Sequence, residues 1–390
     1  MPINETKPKP FTKGEPLSAD RLNSIVSAVK RRIIGGKDIF VSDIGSRLIV
    51  SRKTVETTEI ERPDMIFKIK KSNMQTVWQY SKFRPPIHST QALYSVWDIA
   101  IANGLIAYIG GNTDMSPAVI DTERNLVWEH TESSIPTFRV AIDTDGNVYT
   151  AFGDSSGIKK FDNAGNFVWQ VATRTTFPFS NYNRGIAADT NYVYAGASNA
   201  ASGNLDKLNA SDGSLDTSMG STAAQYGAMD IQIVGSYVYI VYAQKLRRYP
   251  VGGGAPSELN VATGNCCHLS VSGAYAATCG QDKAYLLNSD MTGSYLWSYG
   301  MGQYFGSTLY LTLNGYGNPC VVDSTNVYVG CPRNKDWDDA GSRRYASIVK
   351  LDLDGNYVAH WDNRHIGGVR CMCSDDEYLY CGTQASGVQI

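Results

Sequence analysis

Over residues 65–390 the apolar positions fall in short runs with strand periodicity, separated by turn residues, and helical spacing is hard to find after residue 60. Two phrases recur about every 45 residues. The first is an apolar strand, a tight turn and a strand ending in aromatic and small residues: VAIDTDGNVYTAFG (140–153), IAADTNYVYAG (186–196), IQIVGSYVYIV (231–241), VVDSTNVYVG (321–330) and MCSDDEYLYCG (372–382). The second is an apolar strand, an Asp-type turn and a strand ending in Trp: AVIDTERNLVWE, IKKFDNAGNFVWQ and IVKLDLDGNYVAHW. Each phrase is a β-hairpin, and the two together make a four-stranded unit.

The repeats start with an isolated second half, MIFKIKKSNMQTVWQY (65–80), and finish with an isolated first half, GVRCMCSDDEYLYCG (368–382). Radially repeated sheets leave an open seam unless the terminal segments complete one another. The spacing therefore predicts an all-β fold, a seven-bladed β-propeller closed by N- and C-terminal strands. The recurrent tyrosines Tyr149, Tyr194, Tyr239, Tyr328 and Tyr380 stand 45, 45, 89 and 52 residues apart, and the longest interval hides a degenerate unit, LSVSGAYAATCG. Six complete blades are expected at 94–130, 138–171, 183–219, 227–261, 266–300 and 318–363, with the seventh split between the ends. The stretch 386–390 also reads as a strand, which leaves open the terminus that supplies the third strand of the closing blade.

The first 64 residues have a different pattern. Residues 1–16 read as an extended arm, followed by a helix in LSADRLNSIVSAVKRR with Ser18 as N-cap. Leu22, Ile25 and Val29 form a narrow apolar stripe that one short helix cannot bury unaided. It either caps the propeller or mediates attachment and oligomerisation, and the second is preferred. KDIFVSDIGSRLIVSRK reads as a hairpin and KTVETTEIERPD as a linker, giving an attachment segment at 1–50, a linker at 51–64 and the propeller at 65–390.

Composition narrows the chemistry. A formal net charge of −2 and the absence of a clustered basic face argue against nucleic acid, and no apolar run is long enough to insert in a membrane. The five histidines are scattered without nucleophile-base spacing, and DTDGN and DLDGN sit where hairpin turns belong, so neither catalytic residues nor a metal or cofactor are expected. All eight cysteines follow residue 265. Cys267 with Cys279, Cys320 with Cys331, and Cys371 with Cys381 lie symmetrically about hairpin turns, within reach of cross-strand pairing. The alternative is that they are free thiols packed as small hydrophobes between blades.

The phrases VIDTERNLVW, KFDNAGNFVW and KLDLDGNYVAHW resemble the repeat of the quinoprotein-like (PQQ-like) β-propellers, in which a Trp docks against the next blade. Trp78, Trp128, Trp169, Trp297 and Trp361 are assigned that slot. The segment FTKGEPLSADRLNSIVSAVKRR resembles the N-terminal attachment segment of virion proteins of tailed bacteriophages. Together the resemblances imply a non-enzymatic virion protein, a tail or head fibre that joins other virion proteins through its N-terminus, forms homo-oligomers and meets a host surface glycan or protein. A decoration protein touching only virion proteins, and a carbohydrate-active or quinone-dependent propeller enzyme, are the alternatives. Propeller topology gathers the loops at 174–185, 223–227, 299–307 and 331–344 on one face, so Phe177, Tyr182, Arg184, Tyr226, Tyr304, Phe305, Trp337 and Asp338 are the candidate binding residues.

Overall fold

Strand alternation is realised as sheet wherever the computed structural model describes the chain: residues 39–44, 47–52, 65–81, 96–110, 116–130, 137–152, 157–171, 185–199, 203–219, 228–242, 245–261, 266–280, 283–300, 303–305, 309–311, 318–330, 344–345, 348–361 and 369–383. Two units divide the chain, Met1–Ile60 with Gln389–Ile390, and Glu61–Val388. In the first unit the expected hairpin is present, β1 (Ile39–Ile44) pairing antiparallel with β2 (Arg47–Arg52). The arm and helix expected before it lie outside the described residues.

The second unit is a seven-bladed β-propeller, with β3 (Met65–Lys70) and β4 (Gln75–Ser81) held over for the last blade. Blade 1 is β5 (Val96–Ala102), β6 (Leu105–Gly110), β7 (Ser116–Asp121) and β8 (Leu126–Glu129). Blade 2 is β9 (Thr137–Ile142), β10 (Val148–Phe152), β11 (Ile158–Phe161) and β12 (Phe167–Val171). Blade 3 is β13 (Ile186–Ala188), β14 (Tyr192–Asn199), β15 (Gly203–Asn209) and β16 (Leu215–Met219). Blade 4 is β17 (Asp230–Val234), β18 (Tyr237–Tyr242), β19 (Lys245–Pro250) and β20 (Ser257–Asn260). Blade 5 is β21 (Cys266–Ser272), β22 (Tyr275–Gly280), β23 (Lys283–Asn288) and β24 (Trp297–Gly300).

A small sheet then intervenes, formed by β25 (Gln303–Phe305), β26 (Leu309–Leu311) and β29 (Arg344–Tyr345). Blade 6 is β27 (Cys320–Val322), β28 (Asn326–Gly330), β30 (Ile348–Asp352) and β31 (Tyr357–Trp361). Blade 7 joins β32 (Val369–Ser374) and β33 (Tyr378–Thr383) to β3 and β4 in the order β32-β33-β3-β4. Its seam is the antiparallel pairing of Ile66 with Gly382 through Lys70 with Tyr378. The N-terminal side thus supplies the third strand, which settles the alternative raised by residues 386–390.

The core is distributed. Each of seven apolar clusters lies between two neighbouring blades, as where Ala277 and Leu286 of blade 5 meet Val322, Val327 and Leu351 of blade 6. The recurrent tyrosines are buried there, and three of them solve their own polar problem locally: Tyr149, Tyr328 and Tyr380 donate their hydroxyls to Asp143, Asp323 and Asp375 at 2.9, 3.1 and 2.7 Å, whereas the Tyr194 hydroxyl has no partner among the described residues. Those aspartates also accept backbone N–H groups of their own turns, which shapes the inner hairpins. Asp143 and Asp352, in the DTDGN and DLDGN phrases, are turn-formers of this kind.

Tryptophan docking follows the expected repeat in four of the five positions. Trp78, Trp169 and Trp297 each donate the indole N–H to a turn carbonyl of the next blade, Thr122, Ala210 and Leu353, at 3.0 Å. The Trp128 ring lies against Gly165 of blade 2, although its Nε1 has no partner among the described residues. Trp361 departs from the slot. Ala359 faces Lys350, the position that Trp78 takes against Lys68, and Trp361 sits two residues further on, bonding Thr76 Oγ1 at 2.9 Å and packing on Phe67. The extra residue pair in NYVAHW carries the indole past the turn.

Cysteine pairing is corrected by register. Bulges in β21 and β32 shift the partners, so Cys279 faces His268 and Cys381 faces Met372, while Cys371 faces Gly382 and Cys320 faces Val329. Cys279, Cys320, Cys371 and Cys381 are buried, and none of them is in a disulfide. Cys320 and Cys371 point their Sγ atoms at carbonyls of adjacent blades, Ala277 at 3.6 Å and Val96 at 3.7 Å. The Cys267 side chain and Cys331 lie outside the described residues.

Candidate binding face and channel mouth

In each blade the innermost strand starts on the face where the inter-blade loops and the second-to-third-strand loops emerge. The small sheet demonstrates that two such loops meet: β26, from the loop between blades 5 and 6, pairs in parallel with β29, from the insertion within blade 6. Of the candidate binding residues, Tyr304 and Phe305 lie on β25, facing Tyr310 and Leu309 across the same sheet. Phe177, Tyr182, Arg184, Tyr226, Trp337 and Asp338 lie outside the described residues, as do Leu22, Ile25 and Val29.

Below this face the innermost strands surround a cavity of about 780 Å³. Their outer backbone edges have no strand partner, so polar side chains and solvent must satisfy them. Asp98 of β5 accepts Val140 N at 2.8 Å, Asp230 of β17 accepts Leu269 N at 2.9 Å, and Ser270 Oγ of β21 accepts Val322 N at 2.9 Å. Each bond ties one innermost strand to the next around the ring.

Asp98, Arg139, Asp230 and His268 line the cavity, as do Lys71, Asp323, Asp375 and Asp376. Arg139 of β9 reaches Asp98 Oδ1 at 3.4 Å and donates to Met229 O at 3.2 Å, crossing from blade 2 towards blades 1 and 4. His268 Nδ1 stands 3.9 Å from Asp230 Oδ2. Burial raises the Asp98 carboxyl above its ordinary range against the pull of Arg139. Burial also raises Asp230 to about 6, opposed by Arg139 and reinforced by the Asp98 charge. His268 is held down at about 3 by burial and then by Arg139 and Arg370, so it is neutral at physiological pH. Arg370 of β32 lies 3.3 Å from the centre of the Trp97 ring, and burial brings its pKa down to about 10.

This cluster escaped sequence reading because its members are far apart in the chain and belong to different blades. Its mark is in the strand register, which the sequence does not show. Trp97 and Arg370 are the extra residues of β-bulges, at Val96/Asp98 and Val369/Cys371, and bulges re-aim side chains at sheet edges. Among the described residues no group of three or more His, Cys, Asp or Glu is placed to hold a metal ion.

No protein family profile matches the chain, and no curated protein matches it. Solved structures do. The U3-55K structure is 10% identical with a TM-score of 0.54, over 75% of this chain and 96% of that one. Hydrazine synthase of Kuenenia stuttgartiensis is 12% identical with a TM-score of 0.53, over 79% and 99%. BamB from Moraxella catarrhalis is 16% identical with a TM-score of 0.48, over 88% and 96%. At these identities the likeness of the first two is one of fold alone, and the class it defines is the β-propeller.

Proposed function

We propose that the chain is a non-enzymatic virion protein of a tailed bacteriophage, a fibre or appendage whose N-terminal segment joins it to the particle and whose propeller recognises a host surface. The observation that carries the recognition part is the sheet β25-β26-β29. It belongs to no blade, adds nothing to ring closure, and joins the loop that carries Tyr304 and Phe305 to Arg344–Tyr345 at the end of the blade 6 insertion. Elaborated loops on a rigid scaffold are where binding surfaces are built. The virion part is supported by the resemblance of residues 11–32 to phage attachment segments.

Replacing Tyr182, Tyr304 and Trp337 together by Ala should reduce adsorption to host cells tenfold or more at unchanged melting temperature, since aromatic anchors contribute on the order of 1–2 kcal/mol each. Substituting Asp354 and Glu377 in turns of the opposite face should leave adsorption unaltered. Co-purification with intact particles but unaltered adsorption of the folded triple variant would favour a decoration protein instead.

A further inference from the structure

The hairpin β1–β2 is a sheet of its own: among the described residues neither strand has a second neighbour. Four of the six positions in β1 and three of the six in β2 are apolar. A two-stranded sheet of that composition is marginal in water by itself and is stabilised by being covered. The register shows which positions travel together. Successive residues of a strand alternate between faces, so the pairs Ile39–Arg52, Val41–Val50 and Asp43–Leu48 share one face, and Phe40–Ser51, Ser42–Ile49 and Ile44–Arg47 share the other.

The first of these faces is self-complementary. Its middle row is Val41 and Val50, with Ile39 at the open end and Leu48 at the turn end on the opposite strand. The other two corners carry opposite charges, Asp43 at the turn end and Arg52 at the open end, about 13 Å apart along the strands and so out of reach of each other within one hairpin. Two such faces can stack about a two-fold axis that runs across the strands. Val41 and Val50 then lie over their own equivalents, and Asp43 of each copy comes into the same row as Arg52 of the other. The second face has Arg47 as its only charged position, so a copy offers it no counter-charge. Edge-to-edge pairing of β2 with its own copy, centred between Ile49 and Val50, would set Arg47 opposite Arg52, a like-charge pair across the ladder. We infer that the Val41–Val50 face of the hairpin is a self-association surface through which two copies of this chain pair, with Asp43 and Arg52 as reciprocal ion pairs. Six positions make a small interface, so the dimer should dissociate on dilution. The inference rests on the reading of the N-terminal segment as the oligomerising part, and it names the surface that does it.

Sedimentation equilibrium of the full chain over a dilution series should show a monomer–dimer equilibrium. Asp43→Arg and Arg52→Asp should each weaken it about tenfold or more, because each brings like charges into one row of the stacked faces. The double exchange, Asp43→Arg with Arg52→Asp, should restore association to near the wild-type value. An equimolar mixture of the two single variants should do the same, since arginines at 43 and 52 on one copy then meet aspartates at 52 and 43 on the other. The mixture keeps the test decisive if the double variant fails to fold. Restoration can arise only between copies, because the two corners do not meet within a hairpin. Association indifferent to both single variants, or weakened by them and rescued by neither the double exchange nor the mixture, would overturn the assignment. If such indifferent association were lost on changing Leu22, Ile25 and Val29 together to Ser, the segment would still oligomerise and only the hairpin face would fall. A full chain that stayed monomeric across the series would remove the hairpin face and the self-association reading together.

Discussion

Gly165 meets two demands at once. Its φ of +84° closes the outer hairpin of blade 2, and a Cβ there would come within 2.8 Å of the Trp128 ring. All seven outer hairpins place at least one residue at positive φ: Met74, Arg124, Gly165, Gly213, Gly253, Met291 and Gly355, with Gly254 and Gly293 as second ones in blades 4 and 5. Where the docked ring presses hardest, at Gly165 and Gly213, only glycine serves. Gly165→Ala should therefore destabilise the propeller by about 1–3 kcal/mol, seen as a lower melting temperature. Sequence inspection also passed over a set of cations. Lys68, Lys160, Lys207, Arg248 and Lys350 of the third strands each donate to a carbonyl of the next blade, at 2.9 to 3.4 Å, and sit over a tyrosine of their own blade. The junction between blades 1 and 2 has Val119 at this position and an unbonded Trp128 indole, and is fastened instead by Asp98 at the channel. Asp230 supplies a pH test. Its pKa in the fold is about 6 against 3.8 ordinarily, so the folded state favours the protonated form. That contribution is complete below pH 3.8 and is lost as the pH rises through 6. Between pH 4 and 7 the wild type should lose up to about 3 kcal/mol relative to Asp230→Asn, measurable as diverging melting temperatures.

At the scale of elements, the closing blade is the one whose parts are most separated in sequence. β33 pairs with β3 along five residues, and Phe67, Ile69, Leu379 and Cys381 share a cluster with Tyr328, Ile348 and Trp361 of blade 6. Lys71 from the β3–β4 turn stands 3.3 Å from Asp323 and 2.8 Å from Asp375 O, so the same turn fastens blades 6 and 7. A protein starting at residue 91 would expose β33 as an edge and uncover two inter-blade clusters. It should be poorly soluble or melt far below one starting at residue 61, and equal melting of the two would contradict the seam. The outermost strands behave differently from the hairpin phrases read along the chain. Val77, Leu126, Val127, Phe167, Val168, Tyr295, Leu296, Tyr357 and Val358 are the large hydrophobics most exposed among the described residues, all on or just before an outermost strand. In β8 and β12 both residues before the Trp are exposed and the Trp itself is buried against the next blade.

For the whole molecule, the attachment segment and the propeller make separable claims. Full-length protein should associate with its own copies or with the particle, whereas residues 61–390 should be a monomer. Light scattering of both decides it, and two monomeric species would leave Leu22, Ile25 and Val29 to some role within the chain.

Blade number, blade boundaries and ring closure were legible from periodicity, because hairpin turns and docking tryptophans are local signals that repeat. Registers within the innermost strands were not. A single-residue bulge moves every partner by one, and this is why the symmetric cysteines face His268, Gly382 and Met372 rather than one another. The channel mouth was invisible for a related reason: Asp98, Arg139, Asp230, His268 and Arg370 share no spacing in the chain. They are brought together only when seven strands, each from a different repeat, are wrapped round one axis, and it is that wrapping that desolvates them and shifts their charges.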